Sequence, residues 1–249
     1  MPEIPGSELQ VWTARTSDFG PAMPRDLDAL LDAGERERAA RFKHEADRRS
    51  YVLVHALRRA VLARWLAVDP RDVVLSREPG GRPLLLEPCD DGLYFSHSRS
   101  RDAVALAVTR LAPLGVDVET VTPRGGDDSM ISRFVVLDDD VGQPANQDER
   151  ASRFYFHWTA LEAFWKAQGK GLADGNPRIR CVRSARGDIE VWLESGGDAP
   201  QARLVSIPDS SGSCITLAVL GNADVHPQLC NGNMQLFNAC LAHEMLSPR

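Results

Sequence analysis

The chain has 249 residues, 43% hydrophobic and 26% charged, with a formal net charge of -6 at pH 7. That length buries one large core or two small ones, the composition is that of a soluble globular protein, and the acidic balance argues against a general nucleic-acid coat. No apolar run approaches the ~20 residues of a membrane span, and residues 1–10 carry Pro and Glu where a signal peptide needs a basic start and an apolar stretch, so a cytoplasmic protein with no membrane partner is expected.

In chain order, residues 1–20 alternate weakly (Leu9, Val11, Trp12) and hold a candidate strand. Residues 26–41 are polar with Leu27, Leu30 and Leu31, which reads as one or two short helices. Asp47 is a candidate cap for a longer helix reaching about Leu66, where Val54, Leu57, Val61 and Trp65 recur at helical spacing and Asp69-Pro70 ends the run. From Val73 the texture changes to short runs split by turns. Glu78-Pro79-Gly80-Gly81-Arg82-Pro83 is a turn signal, Leu93-Tyr94-Phe95 a short apolar run, and 104–108 with 116–118 read as a β-hairpin turning near Ala112-Pro113. Residues 138–150 form a polar, acidic surface loop, and 154–168 a second strong helix closed by Gly169. Strands are expected at 178–182, 188–193, 202–207 and 214–220. Helix then strands, twice over, predicts an α+β fold in two halves, 1–112 and 113–221, with an appended tail over 222–249 that is helical from 234 to 245.

The five cysteines show no CxxC, and the six histidines supply no partner at zinc-site spacing, so any metal should be oxygen-ligated. Candidate ligands stand in Gly115-Val116-Asp117-Val118-Glu119. With Val116 and Val118 facing a core, Asp117 and Glu119 share the opposite face of a strand, either as a solvated face or as a metal pair. On the second helix Phe154, Trp158, Leu161, Phe164 and Trp165 cover one broad apolar arc, and Tyr155, Thr159, Glu162 and Lys166 lie in a narrow arc beside it. Glu162 and Lys166 are then an ordinary i,i+4 ion pair, or a carboxylate held rigidly enough at a seam to act chemically. The first long helix and its approach are basic: Arg36, Arg38, Arg41, Lys43, Arg48, Arg49, Arg58 and Arg59, with Arg48, His55 and Arg59 on one face, either solvated or able to fork onto phosphate oxygens. Phe95-Ser96-His97-Ser98 follows a short strand, where hydroxyl, imidazole and loop amides together can bind phosphate. There is no GxSxG elbow and no glycine-rich nucleotide loop.

The order of these segments carries more than any one of them. Gly81-Arg82-Pro83, Phe95-Ser96-His97-Ser98, Pro113-Leu114-Gly115-Val116-Asp117-Val118-Glu119, and Trp158-Thr159 through Glu162, Lys166, Gly169 and Gly171-Leu172 together resemble the 4'-phosphopantetheinyl transferases of the Sfp type over roughly residues 35–220. The resemblance implies two similar α/β halves related by a pseudo-twofold with the active site in the cleft between them, and a holo-[acyl-carrier-protein] synthase type of reaction. The phosphopantetheine arm of coenzyme A passes to a serine of an apo acyl, polyketide or peptidyl carrier protein, releasing adenosine 3',5'-bisphosphate. It implies Asp117, Glu119 and Glu162 as Mg²⁺ ligands, with Glu162 also the candidate base. Lys166 and His97 fall at the pyrophosphate, Arg82, Arg48 and Arg49 near the coenzyme's 3'-phosphate, and Ser96 is a further coenzyme-binding candidate. The site would be complete in a monomer. Leu161 stands where many relatives have lysine, and Arg82 replaces the commoner lysine. A catalytically weak CoA- or carrier-binding module, or a Mg²⁺-dependent phosphohydrolase, are the alternatives.

Overall fold

Apolar periodicity decides the two long helices. In the computed structural model, which describes residues 9–19, 25–78, 81–122, 128–136, 144, 146–172, 176–184, 188–222 and 224–241, the chain divides into two units, Met1–Arg110 with His226–Arg249, and Leu111–Val225. Among the described residues no helix is long and apolar enough to cross a membrane.

The first unit holds β1 (Leu9–Arg15), α1 (Arg25–Ala29), α2 (Ala33–Ala40), α3 (Glu45–Leu66), β2 (Val74–Arg77), β3 (Pro83–Glu87), β4 (Tyr94–Ser100) and β5 (Ala103–Thr109). The second holds β6 (Leu114–Thr120), α4 (Asp128–Ile131), β7 (Val135–Val136), α5 (Gln147–Ala167), β8 (Ile179–Arg183), β9 (Ile189–Leu193), β10 (Ala202–Ile207) and β11 (Ser213–Leu220). The chain then returns to the first unit with β12 (Gln228–Asn231) and α6 (Met234–Leu241). The sheets run β12-β1-β5-β4 and β6-β11-β10-β9-β8-β7, and β2-β3 is a separate hairpin.

The two units repeat one topology. A first strand (β1, β6) leads to the long helix (α3, α5), a strand pair (β2-β3, β8-β9), and two last strands. The last of these lies between the first strand and the one before it: β5 between β1 and β4, β11 between β6 and β10. The expected α+β fold in two similar halves is therefore present.

Three expectations are corrected. Residues 104–108 and 116–118 do not form a hairpin: β5 pairs with β1 and β4, while β6 pairs with β11. The apolar alternation of both strands is satisfied within separate sheets, and 111–113 connects the units. The tail is not an appendage, because β12 adds to β1 in parallel and Leu236, Phe237 and Cys240 join the first core. The second helix begins seven residues early, at Gln147, since Asn146 caps it by accepting from the Glu149 amide at 2.8 Å. Residues 138–143 and 145 of the expected loop, and 242–245 of the expected last helix, lie outside the described residues.

In the first core Val54, Leu57 and Val61 of α3 pack with Val104, Leu106 and Val108 of β5. His55 is buried among them at 3% exposure, its Nδ1 bonded to the Tyr51 carbonyl at 2.8 Å, its ring stacked on Tyr51 and edge-on to His97. Burial, reinforced by the Arg58, Arg77 and Arg99 guanidiniums, holds this imidazole down to about 2. An unfolded histidine titrates near 6.5. Between those values the unfolded chain binds one more proton than the folded one, so stability falls as pH drops below about 6.5, at up to ~1.4 kcal/mol per pH unit. Urea unfolding at a series of pH values from 7.5 to 4.5 should show this slope, and His55→Gln should flatten it by one proton's worth.

Candidate active site

Gly115, Asp117 and Glu119 lie on one face of β6, as strand alternation requires. Of the two readings left open for this face, the solvated one does not hold at Asp117, which is 3% exposed. Val116 and Val118 are buried on the other face, and α5 covers the carboxylate face so closely that a Cβ at Gly115 would stand 2.0 Å from the Ala163 carbonyl oxygen and 2.9 Å from Lys166 Cβ. The helix backbone thus rests on the strand where glycine leaves room. Lys166 emerges directly above β6, and its Nζ binds Asp117 Oδ1 at 2.5 Å and approaches the Val116 carbonyl at 3.4 Å.

The helix ends immediately past Lys166. Gly169 adopts φ 71°, its amide bonds the Lys166 carbonyl, and the Lys170 amide reaches the Trp165 carbonyl at 2.9 Å, a Schellman closure. Phe154, Leu161, Phe164 and Trp165 are buried in the second core as the wheel predicts, with Trp158 packed at its margin. Leu161 is fully buried. Glu162 is half-buried at the seam. Burial pushes its carboxyl above the usual range, the nearby Asp117 and Glu119 charges add to this, and Lys166 opposes it. Glu162 thus lies within electrostatic reach of Asp117, Glu119 and Lys166.

Asp117, Glu119 and Glu162 offer oxygen donors alone, the set a hard divalent cation takes together with water and phosphate oxygens. Among the described residues no three acidic, histidine or cysteine side chains converge tightly enough to hold an ion by themselves, and the Lys166 ammonium is bound to Asp117. A cation held here would have to draw its remaining ligands from substrate and solvent.

Apart from Lys166, the residues expected at the coenzyme's phosphates all belong to the first unit. Ser96, His97 and Ser98 are in β4 and not in a loop, so Ser96 and His97 point to opposite faces of the strand. His97 meets His55 of α3. Arg48 is half-exposed and pairs with Asp28 and Glu45, while Arg49 donates to the Thr16 carbonyl at 2.8 Å. Arg82 is half-buried in the β2-β3 turn, where its carbonyl accepts from the Glu78 amide. Arg59, expected on an exposed basic face, is 2% exposed and bound to Glu35, Asp32 and the Val73 carbonyl, which makes it a structural cation.

Two groupings were not expected, although Arg38 and Arg58 belong to the basic stretch noted in the sequence. A cavity of about 200 Å³ in the first unit is lined by Arg38, Tyr51, Arg58 and Arg77, with Ser76 and Glu35 at its wall. Arg58 is 3% exposed and held by Glu35. Arg77 directly precedes the turn signal, and the helix-phase grouping of Arg48, His55 and Arg59 draws attention from Arg58. The second is Thr216, which sits directly across from Asp117 on β11, a lone polar residue in an apolar run.

A family model described as the 4'-phosphopantetheinyl transferase superfamily matches residues 113–218, and one described as 4'-phosphopantetheinyl transferase, N-terminal, matches residues 10–110. The chain is 32% identical over 171 residues to the 4'-phosphopantetheinyl transferase psf-1 of Bacillus pumilus, covering 67% of this chain and 70% of that protein. The chain belongs to the 4'-phosphopantetheinyl transferase superfamily. It is also similar to the 4'-phosphopantetheinyl transferase HetI of Nostoc sp., 31% identical over 60% of this chain and 64% of HetI. The 4'-phosphopantetheinyl transferase Sfp of Bacillus subtilis strain 168 is 29% identical over 58% of this chain and 63% of Sfp. The matches to HetI and Sfp thus span slightly less than two thirds of those proteins. The superfamily is one of transferases, as the ordered motifs implied.

The close approach at Gly115 is directly testable. Gly115→Ala forces α5 off β6 and should lower stability by at least ~2 kcal/mol in urea unfolding, the cost of overpacking a dense contact. Gly171→Ala, where an added Cβ meets nothing within 4 Å, should change it by less than ~0.5 kcal/mol.

Proposed function

We propose that this protein transfers the 4'-phosphopantetheine arm of coenzyme A to a serine hydroxyl of an apo carrier protein, in the presence of Mg²⁺, releasing adenosine 3',5'-bisphosphate. The observation that carries the reading is the group on β6 and α5: a buried Asp117 bound to Lys166, with Glu119 and a half-buried Glu162 beside it. In a chain of this superfamily such a group is suited to a pyrophosphate and a proton.

The serine oxygen attacks the phosphorus that carries the pantetheine arm, and the bond from that phosphorus to the oxygen of the departing adenosine bisphosphate breaks. Glu162 is the proposed acceptor of the serine proton, directly or through water. Its raised affinity for protons suits that role, since a carboxylate in water is a weak base. Lys166 is placed by Gly115 to turn its ammonium from Asp117 toward a pyrophosphate oxygen, adding a fixed positive charge where negative charge grows. Asp117, Glu119 and Glu162 are the residues that would hold Mg²⁺. When bound, the ion supplies positive charge against the pyrophosphate and the leaving phosphate.

Arg38, Arg58 and Arg77 are proposed to receive a phosphate of the coenzyme in their cavity, since guanidiniums match phosphate in fork geometry. Arg58 would be the rigid member, held by Glu35. His97, Ser96, Arg48, Arg49 and Arg82 stay as candidate contacts from the resemblance, with Ser96 and His97 acting from different faces of β4.

The decisive experiment incubates the protein with coenzyme A, Mg²⁺ and a panel of apo carriers, and reads the carrier mass. Addition of one phosphopantetheine arm to at least one carrier is expected; none on any carrier would overturn the reading. Asp117→Ala should abolish transfer, and Glu162→Gln should lower kcat by about 100-fold or more. Arg38→Ala and Arg77→Ala should instead raise KM for coenzyme A, by about tenfold for each charge-assisted hydrogen bond removed, with kcat nearly unchanged.

A further inference from the structure

We infer that Thr159 and Thr216 are positioning residues whose buried hydroxyl bond sets the rotation of α5, so that Glu162 and Lys166 face the carboxylates of β6. The inference rests on the transferase reading above and names what holds that site in register.

Thr159 and Thr216 are both 0% exposed, and their Oγ1 atoms lie 2.7 Å apart. Thr159 Oγ1 also donates to the backbone of its own helix, 2.9 Å from the Tyr155 carbonyl and 3.2 Å from the Phe156 carbonyl, and it meets Cys214 Sγ at 3.5 Å; either threonine can donate in the bond between them. The hydrogen-bonded group therefore links strand β11 to the backbone of α5. Thr216 is the cross-strand neighbour of Asp117, which places both side chains on one face of the sheet.

Three of the contacts of helix α5 with that face are Thr159 on Thr216, the Ala163 backbone on Gly115, and Lys166 on Asp117. Positions 159, 163 and 166 form one stripe, and Glu162 belongs to it at i+3. The three contacts differ in kind. The backbone approach at Gly115 limits distance but is not directional. The Lys166–Asp117 pair is flexible at the ammonium end and, in the proposed reaction, must loosen when substrate arrives. The threonine bond is short, directional and shielded from water, and it leaves the substrate untouched. Of the three, it is the contact able to fix helix rotation throughout the reaction. A carboxylate rides roughly 6 Å from the helix axis, so a rotation of about 10° displaces Glu162 by about 1 Å. A 1 Å misplacement of a reacting group can cost about 100-fold in rate.

A bond that merely stabilises the fold would behave differently on removal. Replacing both hydroxyls by methyl groups of the same shape leaves only the weakly hydrogen-bonding Cys214 thiol without these partners, so stability should change little. The test compares the parent chain with T159V/T216V and T159S/T216S, measuring melting temperature, kcat and KM for coenzyme A in the carrier-transfer assay, and Mn²⁺ affinity by electron paramagnetic resonance. The valine pair should melt within a few degrees of the parent and lose at least about tenfold in kcat. Its KM for coenzyme A should stay within about twofold, and Mn²⁺ should bind about tenfold more weakly. The serine pair, which restores the hydroxyls, should recover both properties.

A valine pair with parental kcat and Mn²⁺ affinity overturns the inference, as does a serine pair as impaired as the valine pair. Should the valine pair fail to fold, Thr216→Val alone decides by the same readings, because Thr159 keeps its bond to the Tyr155 carbonyl. A parent that modifies no carrier defeats the transferase reading instead, and the Mn²⁺ titrations of the same variants still decide the positioning role.

Discussion

The second unit is organised around the contact of α5 with β6 at Gly115. A glycine in a strand sacrifices ~0.5–1 kcal/mol of backbone entropy relative to alanine and gives up packing area. In return the helix backbone sits against the strand with no side chain between them. Lys166 begins at the strand surface, and Asp117, two residues along at about 6.6 Å, is within the span of its four-carbon stem. Had α5 stood off by the thickness of an alanine or valine, Asp117 would be a buried carboxylate without its ammonium. The half-burial of Glu162 has the same origin, since the seam is narrow because the helix is close.

Each unit buries a carboxylate with cations, and the contrast between the two separates scaffold from site. Glu35 takes up Arg58 and Arg59, with side-chain exposures of 10%, 3% and 3%. Arg59 is further occupied by Asp32 and two backbone carbonyls. That cluster locks α2 to α3, and removing one member would strand an unpaired buried charge at high cost. Asp117 is equally buried, but its partner Lys166 is 30% exposed. An ammonium that is bound at one side and wet at the other can be redirected by an arriving anion, whereas a guanidinium sealed by four acceptors cannot. Arg58 is intermediate: sealed by burial and Glu35, yet lining a cavity beside Arg38 and Arg77.

Much of this was legible in the sequence. Apolar repeats at Val54, Leu57 and Val61 and at Phe154, Leu161, Phe164 and Trp165 placed both long helices, and the alternation in 202–207 and 214–220 placed the last strands almost to the residue. The convergence of two segments about forty residues apart came from their order and resemblance, since charge spacing alone fits a solvated face equally well. Pairing partners were not legible: β5 and β6 are adjacent in sequence and both apolar, and nothing local says that each is satisfied in a different sheet. Nor was burial of charge, because Arg48, His55 and Arg59 share a helical phase, yet Arg59 is sequestered by acids from another helix. Ser96 and His97 were misplaced in a loop because their polarity masked a strand whose pairing with β5 runs from Tyr94 to Ser100.

The site also has a direction that follows from how burial changes along β6. Leu114 through Val118 are buried, and Glu119 and Thr120 are half-buried, so the strand passes from core to solvent across the two carboxylates. Asp117 lies on the low-dielectric side, where a charge interaction is several-fold stronger than in water. Glu119 lies toward water, where ligand exchange is easy. In the proposed reaction a phosphate-bearing substrate would need both conditions, strong attraction at the reacting end and a solvated route to it. The strand supplies them with one pair of residues spaced by two. The i, i+2 spacing is thus a device for placing one carboxylate in each environment on a common face, and α5, held at Gly115, completes it from the other side.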